Sequence, residues 1–170
     1  MLKKKIATKQ VCVGAIIVAL CYVFTTFISI PISSTGYINL SDMFIVLTTI
    51  SIDPIVGLIV AVIAPALADL TLGYFIYIPF TVLSKSIECL FVYLLFNKIK
   101  GKIKYILIFI SSIAMASIYI IPDLIVLGID NWITGLINFA LNSLQGIVGI
   151  SLALVFHQIF KKLNLFTKIG

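Results

Sequence analysis

The chain has 170 residues, 62% of them hydrophobic and only 11% charged, with a mean hydropathy of +1.25. Soluble domains carry roughly 25% charged residues, so a soluble globular domain is excluded and the composition is that of an integral membrane protein. The net charge of +6 comes from twelve basic residues, all of them lysine, a balance that in a membrane protein reports orientation.

The expected fold is all-α: one domain, a bundle of six transmembrane helices with both termini cytoplasmic. Residues 1–10 carry Lys3, Lys4, Lys5 and Lys9, which mark the inner side. The first helix is expected over about 11–30, retained rather than cleaved, and it stops at Pro31. It places Ala15 and Ala19 on one face, a flat strip that lets another helix approach closely. The spacing leaves open whether that helix is the chain's own or a second protein's. Residues 31–37, rich in Pro, Ser and Gly, read as an uncharged outer loop. The second helix, about 39–52, is short for a span, roughly 21 Å against a hydrocarbon core of about 30 Å. It must sit inside the bundle or be extended by its flanks. Asp42 in its first turn suits the helix dipole as a cap.

Asp53-Pro54 reads as a tight inner turn, with Asp53 as N-cap and Pro54 as the first helical residue. The third helix, about 54–72, aligns Gly57, Ala61, Ala64 and Ala68 as a second packing strip and carries Asp69 near its outer end. The aromatic residues Tyr74, Phe75 and Tyr77 suit the outer interface. The fourth helix, about 79–97, is apolar except for one face. There Thr81, Ser84, Lys85 and Glu88 follow the i, i+3, i+4, i+7 spacing. Lys85 lies roughly 9 Å and Glu88 roughly 13 Å from the helix start. A charge at that depth costs at least about 2.5 kcal/mol unless it faces protein, water or a partner charge. The residues allow two readings: a structural Lys85–Glu88 pair, or one wall of a polar cavity.

Lys98, Lys100, Lys102 and Lys104 follow in a short inner loop. The fifth helix, about 105–127, aligns Ser112, Ala116, Tyr119 and Asp123, with Pro122 expected to kink it. Trp132 in the next outer loop reads as an interface anchor or a pocket lid. The sixth helix, about 134–160, places Asn138, Asn142 and Gln145 on one face, and Lys161, Lys162 and Lys168 close the chain inside. Every lysine except Lys85 then falls on the cytoplasmic side. The remaining intramembrane polar groups fall in the outer half of their helices, as an outward-facing pocket requires and a continuous channel does not.

These residues resemble the substrate-binding S components of energy-coupling-factor (ECF) vitamin transporters along essentially the whole chain. The resemblance is carried by Ala15-x-x-x-Ala19, Gly36-Tyr37-Ile38-Asn39-Leu40-Ser41-Asp42, Asp53-Pro54-x-x-Gly57, Ala66-x-Ala68-Asp69, Gly73-Tyr74 and Pro79-x-Thr81-x-x-x-Lys85. It points to the riboflavin, pantothenate and hydroxymethylpyrimidine branch. It implies capture of a vitamin at the outer face by the loop after the first helix and by the fourth to sixth helices. It implies docking through Ala15 and Ala19 onto a transmembrane coupling subunit driven by two cytoplasmic ATPases. The expected contacts are Tyr37 and Asn39 in the loop, and Asp69, Tyr77, Thr81, Ser84, Lys85 and Glu88 up to the fourth helix. Tyr119, Asp123, Trp132, Asn138, Asn142 and Gln145 complete them. With Lys85 paired to Glu88 the remaining field is acidic and rich in amides. That favours a small heteroaromatic ring of the hydroxymethylpyrimidine or pyridoxine type, then riboflavin, then pantothenate.

The rival classes lack their signatures. The sequence has no G-x-x-x-x-G-K-[ST] loop for ATP hydrolysis, so that step belongs to partner subunits. It has no H-E-x-x-H or G-x-S-x-G, and its single histidine, His157, is expected at the inner interface. Cys12, Cys21 and Cys89 have no CxxC spacing and read as small buried hydrophobes. No cofactor is expected. A stand-alone carrier would show inverted repeats with broken helices, and no repeat is evident.

Overall fold

The computed structural model describes residues 8–33 and 36–163. Lys3, Lys4, Lys5 and Lys168, and Ser34 and Thr35 of the predicted loop, lie outside the described residues. The elements run α1 (Thr8–Phe27), β1 (Ile30–Ser33), β2 (Gly36–Ile38), α2 (Ser41–Ser51), α3 (Pro54–Leu72), a 3-10 turn (Phe75–Tyr77) and α4 (Ile78–Lys98). They continue with α5 (Lys104–Leu107), α6 (Ile110–Leu127), a second 3-10 turn (Ile129–Asn131) and α7 (Trp132–Lys162). Five helical stretches are long and apolar enough to cross a membrane. Large apolar side chains such as Ile16, Leu58, Leu83, Ile113 and Leu144 stand exposed on them, as lipid-facing surfaces do. The chain is a multi-pass membrane protein.

Short connections make consecutive helices antiparallel neighbours. The hairpin and both 3-10 turns therefore gather at one end of the bundle, and the 99–103 turn and the end of α7 at the other. Three details differ from the sequence reading. The uncharged loop is an antiparallel hairpin, with Ile30 opposite Ile38 and Pro31 opposite Tyr37. The fifth predicted helix is two pieces, a single turn and then α6, which continues through Pro122. Cys12 is exposed, whereas Cys21 and Cys89 are buried.

The short second helix is resolved in favour of burial. α2 has 11 residues, about 16 Å, too short to span. It packs against α1, α3, α4 and α7, and Asp42 to Val46 are all buried. The turn that follows it forms as the sequence predicts, with Asp53 Oδ1 accepting from the Ile55 N–H at 2.8 Å and Pro54 opening α3. Below the hairpin end the interior is apolar and finely packed, with Val46, Val60, Ala61, Ala64, Val92, Ile150 and Ala153 in one core. His157 does not face the membrane interface: its Nδ1 meets Ser51 Oγ at 2.8 Å, tying α7 to the end of α2.

Glycines on α7 set how closely the helices approach. A Cβ on Gly149 would lie 2.6 Å from Asp42 Cβ and 3.0 Å from the Met43 backbone nitrogen. One on Gly146 would lie 2.5 Å from Ser112 Cβ. Because the Met43 atom is backbone, α2 itself must move to admit a side chain at 149. Gly149→Val is therefore expected to destabilise the protein by at least about 1–3 kcal/mol, read as a lowered unfolding temperature in detergent. An unchanged unfolding temperature would mean that α2 and α7 are not in close contact.

Candidate functional site

The hairpin end of the bundle opens into a polar cavity of about 40 Å³, room for a few water molecules. The hairpin contributes Gly36 and Tyr37, and the segment after it Asn39. α3 supplies Asp69, and the turn before α4 supplies Tyr74 and Tyr77. Thr81 comes from α4, Tyr119 and Asp123 from α6, and Asn138, Asn142 and Gln145 from one face of α7. Ten of the fourteen residues expected from the sequence thus meet around one cavity, and Gly36 and Tyr74 join them.

Hydrogen bonds order this lining. The Tyr37 hydroxyl donates to Asp69 Oδ1 at 2.7 Å, and the Tyr37 ring packs on Tyr74 with centroids 5.2 Å apart. Burial, and next the Asp69 carboxylate, push the Tyr37 phenol above its ordinary range, so it stays a donor. Asp69 Oδ2 has no hydrogen-bond partner. Tyr77, buried rather than lying at the interface, donates to Asp123 Oδ1 at 2.8 Å, and Asn138 Nδ2 donates to Asp123 Oδ2 at 3.1 Å. The Tyr119 hydroxyl donates to Thr81 Oγ1 at 3.3 Å. Asn39 Oδ1 accepts from the Ser41 N–H at 2.9 Å, which fixes the entry to α2.

Four expected contacts lie elsewhere. Trp132 is the first residue of α7 and is 56% exposed, away from the cavity. Ser84 donates to the Met115 carbonyl and is fully buried. Lys85 and Glu88 lie deeper than the cavity lining, and their predicted pairing is not formed. Lys85 Nζ instead makes a salt bridge to Asp42 Oδ1, while Glu88, buried beside Asp42, makes no ion pair with the lysine. Helical spacing put Lys85 and Glu88 on one face, but α2 carries Asp42 across the bundle to the ammonium. Asp42 makes no side-chain cap for its own helix. Its second oxygen accepts from Gln145 Nε2 at 2.6 Å, and Gln145 Oε1 accepts from the Asn39 N–H at 2.9 Å. The ion pair is therefore the underside of the cavity floor. The sequence signal that could have found it was an acidic residue at the start of a helix too short to span.

Ala15 and Ala19 are exposed on α1, and α1 packs on α3 through Gly14 and Val56 instead. Among the described residues nothing covers the strip. Among the described residues no group of His, Cys, Asp and Glu is arranged to hold a metal ion.

The pairing has a direct test. Lys85→Met leaves Asp42 buried without its counter-ion, and about 3–5 kcal/mol of stability is expected to be lost. Glu88→Gln removes no ion pair and is expected to stay within about 1 kcal/mol of the parent. Thermal unfolding in detergent compares the two, and similar large losses for both would return the pairing to Glu88.

Comparison with curated proteins gave no match. Comparison with protein families gave one described as "ECF-type riboflavin transporter, S component", matched over residues 5–162. That span takes in the hairpin, the buried ion pair and every cavity residue. A vitamin-binding transport subunit, not an enzyme, is what this membrane bundle with a polar cavity at one end amounts to, and the chain belongs to the ECF-type riboflavin transporter S component family.

Proposed function

We propose that the protein captures riboflavin at the hairpin end of the bundle, on the outer face of a prokaryotic plasma membrane, and delivers it inward. The observation that carries this reading is the charge of the cavity. Asp69 and Asp123 line it with four side-chain amides and four tyrosines, and no lysine is among the lining residues. The buried cation, Lys85, is engaged with Asp42. An anion entering such a site meets carboxylates and no counter-charge, which is costly in a low-dielectric pocket. A neutral ligand whose hydroxyls donate to carboxylates and whose flat ring packs on tyrosines meets no such cost. Riboflavin has both parts, and the family description names it. Pantothenate, a carboxylate, would have to take Lys85 from Asp42.

Ligand pockets of drug-like size run to roughly 300 Å³ and more, against about 40 Å³ here. Binding therefore requires the Tyr37 and Tyr74 rings and the hairpin to give way. That compactness favours a second reading, a smaller ring of the hydroxymethylpyrimidine or pyridoxine type. Titration of the purified protein by flavin fluorescence and calorimetry separates them. Submicromolar binding of riboflavin is expected. Heat from hydroxymethylpyrimidine or pyridoxine with no flavin response would establish the second reading, and a response to pantothenate alone would overturn both.

In this reading six helical elements put both termini inside, and the lysines of the 98–104 segment and of the end of α7 face the cytoplasm. The exposed Ala15 and Ala19 seat a helix of a transmembrane coupling subunit, whose two ATPase partners supply the energy. Ala15→Trp and Ala19→Trp are expected to abolish uptake and co-purification with the coupling subunit, with riboflavin affinity of the isolated protein unchanged. Loss of folding and binding together would mean that the strip supports the bundle itself.

A further inference from the structure

The floor of the cavity is a side-chain amide held at both ends. Gln145 Oε1 accepts from the Asn39 backbone N–H at 2.9 Å, and Nε2 donates to Asp42 Oδ2 at 2.6 Å. A glutamine amide offers two lone pairs and two N–H groups, so one of each is left over. Turning the amide over would set its NH2 against the Asn39 N–H and its oxygen against the Asp42 carboxylate. Both contacts would be lost, so only one orientation survives.

Asp42 cannot follow such a turn. Its other oxygen holds Lys85, and Gly149 packs so closely that a Cβ there would lie 2.6 Å from Asp42 Cβ. Lys85 is itself fixed, with its ammonium 3.7 Å from Met115 Sδ. Asn39 is fixed through its own side chain, which accepts from the Ser41 N–H. The order runs from Lys85 through Asp42 to Gln145, and Gln145 lines the cavity while Asp42 does not.

We infer that Asp42 is a specificity-determining positioning residue: it orients Gln145 to read a ring edge that carries a hydrogen-bond acceptor next to an N–H donor. This rests on the riboflavin reading and deepens it. An amide presenting one N–H and one lone pair pairs with such an edge through two parallel hydrogen bonds, as glutamine and asparagine do with the adenine edge in DNA. In a flavin the matching edge is the imide, with its ring N3–H between two carbonyls. The ring then enters first and the hydroxylated tail stays nearer Asp69 and Asp123, the carboxylates closer to the mouth.

The test compares riboflavin with N3-methylriboflavin, by flavin fluorescence titration of the full chain in detergent, with unfolding temperatures taken alongside. The parent protein is expected to favour riboflavin by about tenfold or more, since the methyl group removes the donor and leaves the Gln145 acceptor unpaired. Gln145→Met is expected to weaken riboflavin binding by about tenfold or more and to bind both flavins alike. Asp42→Asn offers one oxygen to both Lys85 and Gln145, frees the amide, and is expected to shrink the preference as well. A purely structural role would lower the unfolding temperature and both affinities in parallel with their ratio intact, and that result would overturn the inference. If Asp42→Asn fails to fold, the ratio in Gln145→Met decides, and an unchanged ratio there refutes the proposal. Equal binding of both flavins by the parent would overturn the inference but leave the riboflavin reading in place. Binding of neither would overturn both.

Discussion

A lysine 1% exposed in the middle of a membrane bundle must have a carboxylate beside its ammonium group, and much of this architecture follows from supplying one. The carboxylate comes from Asp42, and it reaches Lys85 because α2 is buried among four other helices. A spanning helix would carry its first turn near the membrane surface, where a lysine at this depth has no reason to be. An 11-residue helix starting inside the bundle delivers its first turn to the level of Lys85. The close approach of α7 at Gly149 belongs to the same constraint, since a larger residue would push α2 and its aspartate away. Buried ion pairs are weak sources of net stability but costly to break. Their value is in fixing one arrangement, and here that arrangement includes the Gln145 amide.

The pair also divides the bundle into two chemically distinct halves. Toward the hairpin lie the carboxylates, amides and tyrosines of the cavity. Toward the opposite end lie mainly small and branched apolar residues, among them Val60, Ala61, Val92, Ile150 and Ala153. A polar solute can be accommodated at one end, whereas the buried hydroxyls of Thr48, Thr49 and Ser111, outside the cavity, are spent on helix carbonyls. Such a molecule binds its ligand but offers no static route across, in keeping with a transport subunit that depends on other proteins for translocation. The polar bonds of the cavity also join elements distant in sequence, Tyr37 to Asp69, Tyr77 to Asp123 and Asn39 to Gln145. The site and the fold of its end of the bundle are therefore held by the same contacts.

The sequence by itself determined the class of protein and most of the partition between helix and turn. Hydropathy of this size forces spanning helices, because backbone polar groups in lipid must be satisfied within the segment. Asp53-Pro54 announced its turn because an N-cap followed by Pro at the first helical position is a local device, and it formed as read. The polar stripes of α6 and α7 were legible for a similar reason: helical periodicity alone puts Tyr119 with Asp123, and Asn138, Asn142 and Gln145, on common faces. What only the tertiary structure decided were the partners across helices. Spacing could align Lys85 with Glu88 on α4, but the strongest interaction ran to Asp42, 43 residues away in sequence, on a helix whose burial no local pattern encodes. Trp132 was read as a possible lid from its place in a loop, and it became the exposed first residue of α7, outside the cavity lining. Periodicity states which residues share a face. Which face meets which is settled by packing small residues against backbone, and in this chain that packing set the counter-ion of the buried lysine.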